Sequence, residues 1–288
     1  SGDPFTLRRC GDRVLGRGAA DMKGFLAAAL ALALRVEPAR LRRPVILALS
    51  YDEEVGCLGT LPLIEALATI APRPWGCVAG EPTGLRLVDG HKGKAAARIE
   101  VRGRAGHSSR PTEAVNAVVA AARLVARAAA LGQRLAVEGP FAAGFEPPCT
   151  TVSVGRIEGG GAVNVVPERC AFELEVRAVP DDDPRRRIDE LLAWAQDALV
   201  PAMRAVAPEA AITATETLHY PCLRPAPDTP IARAVAAVTG TAVPGKVGFG
   251  TEAGRFQAAG IDAVVCGPGD IGQAHRPDES IGVAELAA

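Results

Sequence analysis

The sequence lacks several features that mark whole classes of protein. The formal net charge of its 288 residues is −1, which gives no electrostatic case for binding nucleic acid or an anionic membrane. The longest unbroken apolar run, residues 25–34, has ten residues and is too short to span a bilayer. No secretory signal peptide opens the chain, and no repeat or low-complexity linker interrupts it. We therefore expect a cytoplasmic protein whose ligand is a small molecule.

Paired cysteines are also missing. The seven cysteines are an odd number of scattered single residues, with no CxxC pair among them. This usage argues against a disulfide framework or a cysteine zinc site and predicts reduced thiols. Cys57 lies close to two glutamates, but we interpret it as a small buried thiol and not as a nucleophile.

The composition and the element pattern predict an interrupted α/β fold. Hydrophobic residues make up 48% of the chain and charged residues 23%, which excludes a disordered protein. Residues 1–93 and 219–288 alternate short apolar strands with helices, so we expect them to form one α/β domain. Residues 94–218 follow the order β-α-β-β-α-β, which predicts an inserted ferredoxin-like α+β domain.

Two local predictions bear on the site. Pro44 introduces residues 45–49, an apolar segment with two β-branched residues that is typical of a strand buried on both faces. Asp21 stands before an apolar segment and could cap a helix over residues 22–35.

Acidic residues and one histidine stand at or near the ends of apolar segments. Glu53 and Glu54 follow residues 45–49, Glu81 follows a short strand-like segment, and His275 follows another and a loop rich in glycine and proline. Ligands of open α/β sheets gather beyond the carboxyl ends of strands. Together with Asp21, these carboxylates and the imidazole predict a divalent-metal site for hydrolysis, in which an adjacent glutamate could act as general base.

Each of these residues also has a structural interpretation when taken alone. Asp21 could be only a helix cap, and the glutamate pair could be first-turn acids stabilised by a helix dipole. Glu81 could be an ordinary turn residue before Pro82, and His275 a surface histidine. Their shared placement favours the metal site, although spacing by itself does not fix one.

Several ordered motifs resemble one enzyme family. They are Gly16 to Gly24, Asp52 to Gly56, Gly80 to Thr83 and Gly272 to Glu279, with Gly103 to Ser109 in the inserted domain. Together they resemble the acetylornithine deacetylase and succinyl-diaminopimelate desuccinylase family, which are dinuclear zinc amidohydrolases. The resemblance covers nearly the whole chain. It implies a zinc-exopeptidase-like catalytic domain with a mixed central sheet flanked by helices, and homodimerisation through the inserted domain.

The resemblance also implies roles for individual residues. Asp21 would bridge two divalent ions, with Glu81 on one ion and Glu54 and His275 on the other. The ions would be zinc, and cobalt is also possible. Glu53 would be the base, and His107 would help to stabilise the oxyanion across a dimer. Asn164, Arg177 and Thr251 resemble substrate-contacting positions, and Glu252 could pair with the ammonium group of an ornithine-like side chain. The alternatives are a turn Asn164, a solvated strand Arg177 and a buried Glu252 that fixes its loop.

One feature of the family is missing from the sequence. Its first metal ligand is a histidine in a His-x-Asp segment upstream of the bridging aspartate, and no histidine precedes Asp21. We therefore expect an N-terminally truncated sequence that is poorly soluble or inactive when expressed alone.

The resemblance is strongest to acetylornithine deacetylase, because Gly250 to Gly254 matches that branch. It implies hydrolysis of N-acetylornithine to ornithine and acetate, a step of arginine biosynthesis. A desuccinylase, an aminoacylase or a carboxypeptidase of the same family is the alternative enzyme. A catalytically inactive scaffold that keeps the fold is the alternative from a different class.

Overall fold

The chain folds into two units because one segment is inserted within another. A computed structural model describes residues 2–70 and 72–288. Residues 1–91 and 223–288 form one compact unit, here unit 1, and residues 92–222 form the second, unit 2. Within the described residues, no helix is both long enough and apolar enough to cross a membrane.

Unit 1 begins with short elements. In chain order they are β1 (Arg8–Cys10), β2 (Arg13–Leu15), α1 (Gly24–Arg35), α2 (Thr60–Ala68), β3 (Cys77–Ala79) and β4 (Val88–His91).

Unit 2 contains the longer elements. They are β5 (Gly93–Arg102), β6 (Gly106–His107), α3 (Ala117–Glu138), β7 (Thr151–Gly159), β8 (Val165–Val166), β9 (Arg169–Ala178), α4 (Pro184–Ala198), α5 (Val200–Val206) and β10 (Ala211–Tyr220).

The chain then returns to unit 1. The remaining elements are α6 (Pro230–Thr239), β11 (Gly245–Val247), α7 (Ala253–Ala258), β12 (Ala263–Val265), β13 (Ser280–Gly282) and α8 (Val283–Ala287).

A mixed four-stranded sheet in the order β11-β4-β12-β3 forms the centre of unit 1. β12 runs parallel to β3 and antiparallel to β4, and β11 runs parallel to β4. Because successive side chains of a strand point to opposite faces, Val264 packs with Ile231 of α6 while Val265 packs with Phe256 of α7. The sheet is therefore covered by helices on both faces, and the predicted class of fold is confirmed.

Unit 2 is an antiparallel sheet in the order β10-β5-β9-β7, joined in the sequence β-α-β-β-α-β. Burial alternates along β5, so that Ala95, Ala97, Ile99 and Val101 face the apolar core beneath α3 and α4. Asp183 starts α4 by accepting a hydrogen bond from the backbone N–H of Arg185, with Pro184 in the first turn. The predicted ferredoxin-like insertion is confirmed.

The predicted strand over residues 45–49 is wrong. No strand pairs with this segment among residues 2–70 and 72–288, and Val45 and Leu49 are 63% and 56% exposed. A buried strand forms only where a neighbouring strand completes its backbone hydrogen bonds. The composition of residues 45–49 predicts a preference for a strand but does not show whether a neighbouring strand is present. Ile46 alone packs against the core of unit 1.

The predicted capping role of Asp21 is also wrong. α1 begins at Gly24, three residues later, with Lys23 as its N-terminal flanking residue. Asp21 has the non-helical dihedral angles φ −119° and ψ 91°, and lies in an irregular turn over Ala19–Lys23. Its carboxylate is therefore not directed at the orphan N–H groups of the helix, and it is available for other contacts.

Candidate metal centre and active site

Four segments of unit 1 bring acidic residues and an imidazole together. Glu81 follows β3 and His275 lies beyond β12, and these strands are parallel neighbours whose carboxyl ends lie at one edge of the sheet. Asp21 stands before α1, and Glu53 and Glu54 lie in the one-turn 3₁₀ helix Glu53–Val55.

Asp21, Glu54 and His275 form the centre of this cluster. Each offers one potential ligand atom, and these atoms lie within 4.8 Å of one another. Nε2 of His275 is 2.9 Å from Oε2 of Glu54 and 3.5 Å from Oδ2 of Asp21. Two carboxylate oxygens and an imidazole nitrogen are a donor set that suits zinc and similar divalent ions.

Glu81 joins the cluster through Asp21. It is buried, with 6% exposure, and its carboxyl group is hydrogen-bonded to that of Asp21. Burial, together with the nearby carboxylates of Glu53 and Asp21, raises the pKa of Glu81 well above its usual value. Burial and the charge of Glu54 likewise raise the pKa of Asp21. Carboxyl groups this close together are hard to ionise because their charges repel. A divalent cation would offset this repulsion, so the cluster fits such an ion.

Glu53 is adjacent to Glu54 in sequence and lies outside the donor set of Asp21, Glu54 and His275. It is half-buried, and burial first, then the charge of Glu54, raises its pKa to about 7. A carboxyl group with a pKa near neutrality can both accept and donate a proton during a reaction. The thiol of Cys57 lies 3.6 Å from Oε1 of Glu53 and is 1% exposed. Burial raises the pKa of Cys57, so that the group is a neutral thiol.

Thr251 and Glu252 precede α7. The hydroxyl of Thr251 is buried and accepts a hydrogen bond from the N–H of Ala253 at 3.1 Å. Glu252 is half-buried and accepts hydrogen bonds from the hydroxyls of Ser50, at 2.7 Å, and Thr60. A carboxylate has about four acceptor positions, so these two contacts leave capacity for a further donor.

The other predicted residues belong to unit 2. His107 is exposed on β6, which pairs with β8, and the N–H of Ser108 donates to the carbonyl of Asn164 at 3.0 Å. His107 and Asn164 therefore lie on adjoining segments. Arg177 is on β9, where its guanidinium pairs with Glu175 at 2.6 Å and is also hydrogen-bonded to Tyr220. Arg177 is thus half-buried and paired, unlike a solvated strand arginine.

One contact of this region was not predicted from the sequence. Glu279 belongs to the same motif as His275, but no function was assigned to it from the sequence. In the structure it is buried and accepts hydrogen bonds from the backbone N–H groups of Gly18, Ala20 and Asp21. The available signal was an acidic residue immediately before the short apolar strand β13.

Comparisons with known proteins identify relatives along nearly the whole chain. Residues 89–203 match a family model described as a peptidase dimerisation domain. An acetylornithine deacetylase from Myxococcus xanthus is 39% identical over 284 residues, which cover 99% of this chain and 72% of the relative. An acetylornithine deacetylase from Salmonella arizonae is 33% identical over 282 residues, covering 96% of this chain and 70% of the relative.

Solved structures share the fold. The M20 family metallo-carboxypeptidase Sso-CP2 from Sulfolobus solfataricus has a TM-score of 0.72 and 22% identity, covering 98% of this chain and 76% of that one. The aminopeptidase PepT from Bacillus cereus has a TM-score of 0.68 and 20% identity, covering 98% of this chain and 72% of that one.

The fold and the donor set define a metal-dependent hydrolase. The class follows from carboxylates and an imidazole gathered at the edge of a mixed sheet, beside a carboxyl group with a pKa near neutrality. The chain belongs to the M20 family and is a metal-dependent amidohydrolase that uses divalent ions. The resemblance predicted from the motifs is confirmed.

Proposed function

We propose that this protein hydrolyses the amide bond of N-acetylornithine to give ornithine and acetate. The observation that carries amide hydrolysis is the meeting of Asp21, Glu54 and His275, with Glu53 adjacent. The choice of substrate is supported by the relatives named acetylornithine deacetylase, which are 39% and 33% identical to the chain.

The metal site is proposed to take zinc, with cobalt as a substitute, through Asp21, Glu54, Glu81 and His275. In our proposal Asp21 would help to hold both ions, because it has His275 and Glu54 as neighbours and is also hydrogen-bonded to Glu81. A bound divalent ion supplies Lewis-acid chemistry: it polarises the amide carbonyl and lowers the pKa of water.

Glu53 is proposed as the general base and acid. Its carboxylate takes a proton from the attacking water as the new C–O bond forms at the acyl carbon. The same carboxyl group then gives that proton to the ornithine nitrogen as the C–N bond breaks, so that one proton passes from water to the amine. The pKa of about 7 suits both transfers near neutral pH.

Substrate recognition is proposed to use Glu252 for the side-chain ammonium group. Glu252 carries a charge opposite to that group, and two hydroxyl donors, from Ser50 and Thr60, orient its carboxylate. Thr251, Asn164 and Arg177 are proposed as further substrate contacts, and His107 as a stabiliser of the oxyanion. Arg177 is suited to a substrate carboxylate because a guanidinium can bind one in a bidentate manner.

Homodimerisation is proposed through unit 2. The match of residues 89–203 to a peptidase dimerisation domain supports it. β7 is an edge strand of the sheet, and Ile157 on it is 51% exposed. Light scattering at micromolar concentration should give twice the monomer mass, and a monomer at that concentration would contradict the proposal.

The test of function uses the protein that carries this sequence, at its natural length. Metal-free protein is prepared with a chelator, reloaded with zinc or cobalt, and given N-acetylornithine, N-succinyl-diaminopimelate, N-acetylmethionine or a dipeptide. We expect stoichiometric acetate and ornithine, and the highest kcat/KM for N-acetylornithine. Preference for another of these substrates would support the corresponding alternative enzyme. Absence of metal binding after reloading would instead favour a scaffold.

A further inference from the structure

Glu279 holds the backbone that presents Asp21. Its side chain is 2% exposed, and each of its two oxygens accepts two hydrogen bonds. Oε1 accepts from the N–H groups of Ala20, at 2.9 Å, and Asp21, at 3.0 Å. Oε2 accepts from the N–H of Gly18, at 2.9 Å, and from the guanidinium of Arg17, at 3.0 Å.

The turn that surrounds Glu279 has the form of an anion-binding site. Gly18 has a φ of 79°, in the left-handed region that glycine adopts without strain. Nearby backbone N–H groups in such a turn converge on one point and favour a negative charge there. In this chain the negative charge at that point is the carboxylate of Glu279, which is far from the turn in sequence.

Glu279 holds the N–H of Asp21 itself, whereas the backbone hydrogen bonds from Ala19 to Gly16 and from Lys23 to Gly18 close the turn on either side of it. Asp21 is outside helix α1 and has non-helical dihedral angles, so the helix does not dictate its position. Glu279 also accepts a hydrogen bond through its main-chain carbonyl from the N–H of Gly16, at 3.0 Å. The segment carrying His275 is thereby joined to the turn carrying Asp21 by both the main chain and the side chain of Glu279.

We propose that Glu279 is a positioning residue that sets Asp21 relative to His275, through one carboxylate shared by the backbone N–H groups of Gly18, Ala20 and Asp21. The inference rests on the proposed function for the role of Asp21 and His275 as metal ligands. The attachment of the turn to Glu279 is independent of that role. A ligand pair held in place before the ion arrives binds it more tightly than a mobile pair.

The decisive variant is Glu279→Gln, which keeps the size of the side chain and replaces one acceptor oxygen with an NH₂ donor. At least one of the backbone N–H groups of Gly18, Ala20 and Asp21 then loses its acceptor. The matched control is Asp278→Asn, which makes the same chemical change one residue away. Asp278 is 42% exposed and contacts Arg8, and its positive φ of 56° is tolerated by Asn.

Amide hydrogen exchange on the metal-free protein tests the attachment. We expect at least one of the amides of Gly18, Ala20 and Asp21 to exchange about tenfold faster or more in Glu279→Gln, since a charge-assisted hydrogen bond is lost. Asp278→Asn should keep wild-type rates there, and the amides of β5 and β9 should be unchanged in both. Wild-type rates at residues 18–21 in Glu279→Gln would overturn the proposal. If Glu279→Gln does not fold, Glu279→Asp, whose shorter side chain cannot reach all four donors, is measured by the same criterion.

Calorimetric titration with zinc or cobalt tests the consequence for the site. We expect Glu279→Gln to bind the first ion about 10–100-fold more weakly than the wild type, with Asp278→Asn unchanged. Equal affinity in Glu279→Gln and the wild type would overturn the positioning role. If the wild type itself binds no metal, the proposed function fails, and the exchange rates still decide whether Glu279 holds the turn.

Discussion

Nε2 of His275 lies 2.9 Å from Oε2 of Glu54, and both side chains are more than half exposed. The two residues come from loops that are distant in sequence and meet at the edge of one sheet. Oδ2 of Asp21 is 3.5 Å from the same imidazole nitrogen. Three donor atoms so placed can bind one divalent ion. The first prediction concerns the affinity for that ion.

Glu54→Gln should weaken metal binding. The substitution removes the negative charge of one proposed ligand and keeps its size, so we expect the affinity for zinc to fall by about 100-fold or more, beyond the usual effect of an indirect contact. Metal content after dialysis and calorimetric titration measure the effect. Asp52→Asn is the control, because Asp52 is exposed in the same loop and lies outside the donor cluster. Equal losses in both variants would contradict a ligand role for Glu54.

Glu53→Gln should separate proton transfer from metal binding. An amide side chain cannot take a proton from water, so kcat should fall by about 10²–10⁴-fold. Metal content should stay at the wild-type level, because Glu53 is not among the donor atoms that meet at His275. Steady-state kinetics and metal analysis on the same preparation check both parts. A variant that retains wild-type kcat would exclude Glu53 as the base.

Glu252→Gln should reduce the preference for a cationic substrate. If the carboxylate pairs with the ornithine ammonium, kcat/KM for N-acetylornithine should fall by about tenfold or more, as expected for a lost charge-assisted hydrogen bond. The value for a neutral substrate such as N-acetylmethionine should hardly change. The observable is the ratio of the two kcat/KM values.

Ser50→Ala is the matched control for Glu252→Gln. It removes one of the two hydroxyls that donate to Glu252 and leaves the negative charge. We expect the substrate ratio of Ser50→Ala to stay near the wild-type value. An unchanged ratio in Glu252→Gln would show that Glu252 only fixes its loop, which was the alternative interpretation of the sequence.

Glu175 should make unit 2 sensitive to acid. Burial by itself would raise the pKa of Glu175, but hydrogen bonds from Lys94 and Arg177 outweigh burial and lower it. A lowered folded-state pKa contributes stability that is present above the unfolded value, near 4.5, and is lost as the pH falls through the folded-state pKa. Glu175→Gln should therefore destabilise the protein at pH 7 by about 1 kcal/mol, and this difference should shrink below about pH 4.5.

Urea unfolding at a series of pH values measures the effect of Glu175→Gln. Glu173→Gln is its control on the same strand, because Glu173 is 51% exposed and its ion pairs with Arg98 and Arg156 span 3.8 Å and 4.0 Å. Its effect at pH 7 should stay below about 0.5 kcal/mol, as for exposed ion pairs. A difference between Glu175→Gln and the wild type that is the same at pH 7 and pH 3.5 would contradict the linkage.

The chemistry of individual side chains was readable from the sequence. Glu81 and His275 follow apolar segments that the structure shows to be neighbouring parallel strands, so their meeting could be anticipated, whereas Asp21 and Glu54 join them from segments that are not strands. The alternating pattern of β5 and the cap of α4 were also local properties, which explains why the ferredoxin-like order was predicted correctly.

The outcome at residues 45–49 depended on tertiary structure. These residues prefer a strand, yet a strand exists only where a neighbour completes its hydrogen bonds, and none of the described residues does so. Asp21 gives a second case, because its sequence context fits a helix cap. Its backbone angles in the turn Ala19–Lys23 are non-helical, so it does not cap α1.

The sequence by itself determined which donor atoms the protein has and their order along the chain, because these are properties of side chains and of their immediate neighbours. Only the tertiary structure decided that Glu279 accepts hydrogen bonds from the N–H groups of Gly18, Ala20 and Asp21. A hydrogen bond between residues so far apart in sequence depends on the packing of β13 against β2. Contacts of that kind have no local pattern, since they form only when the folded chain brings the two segments together.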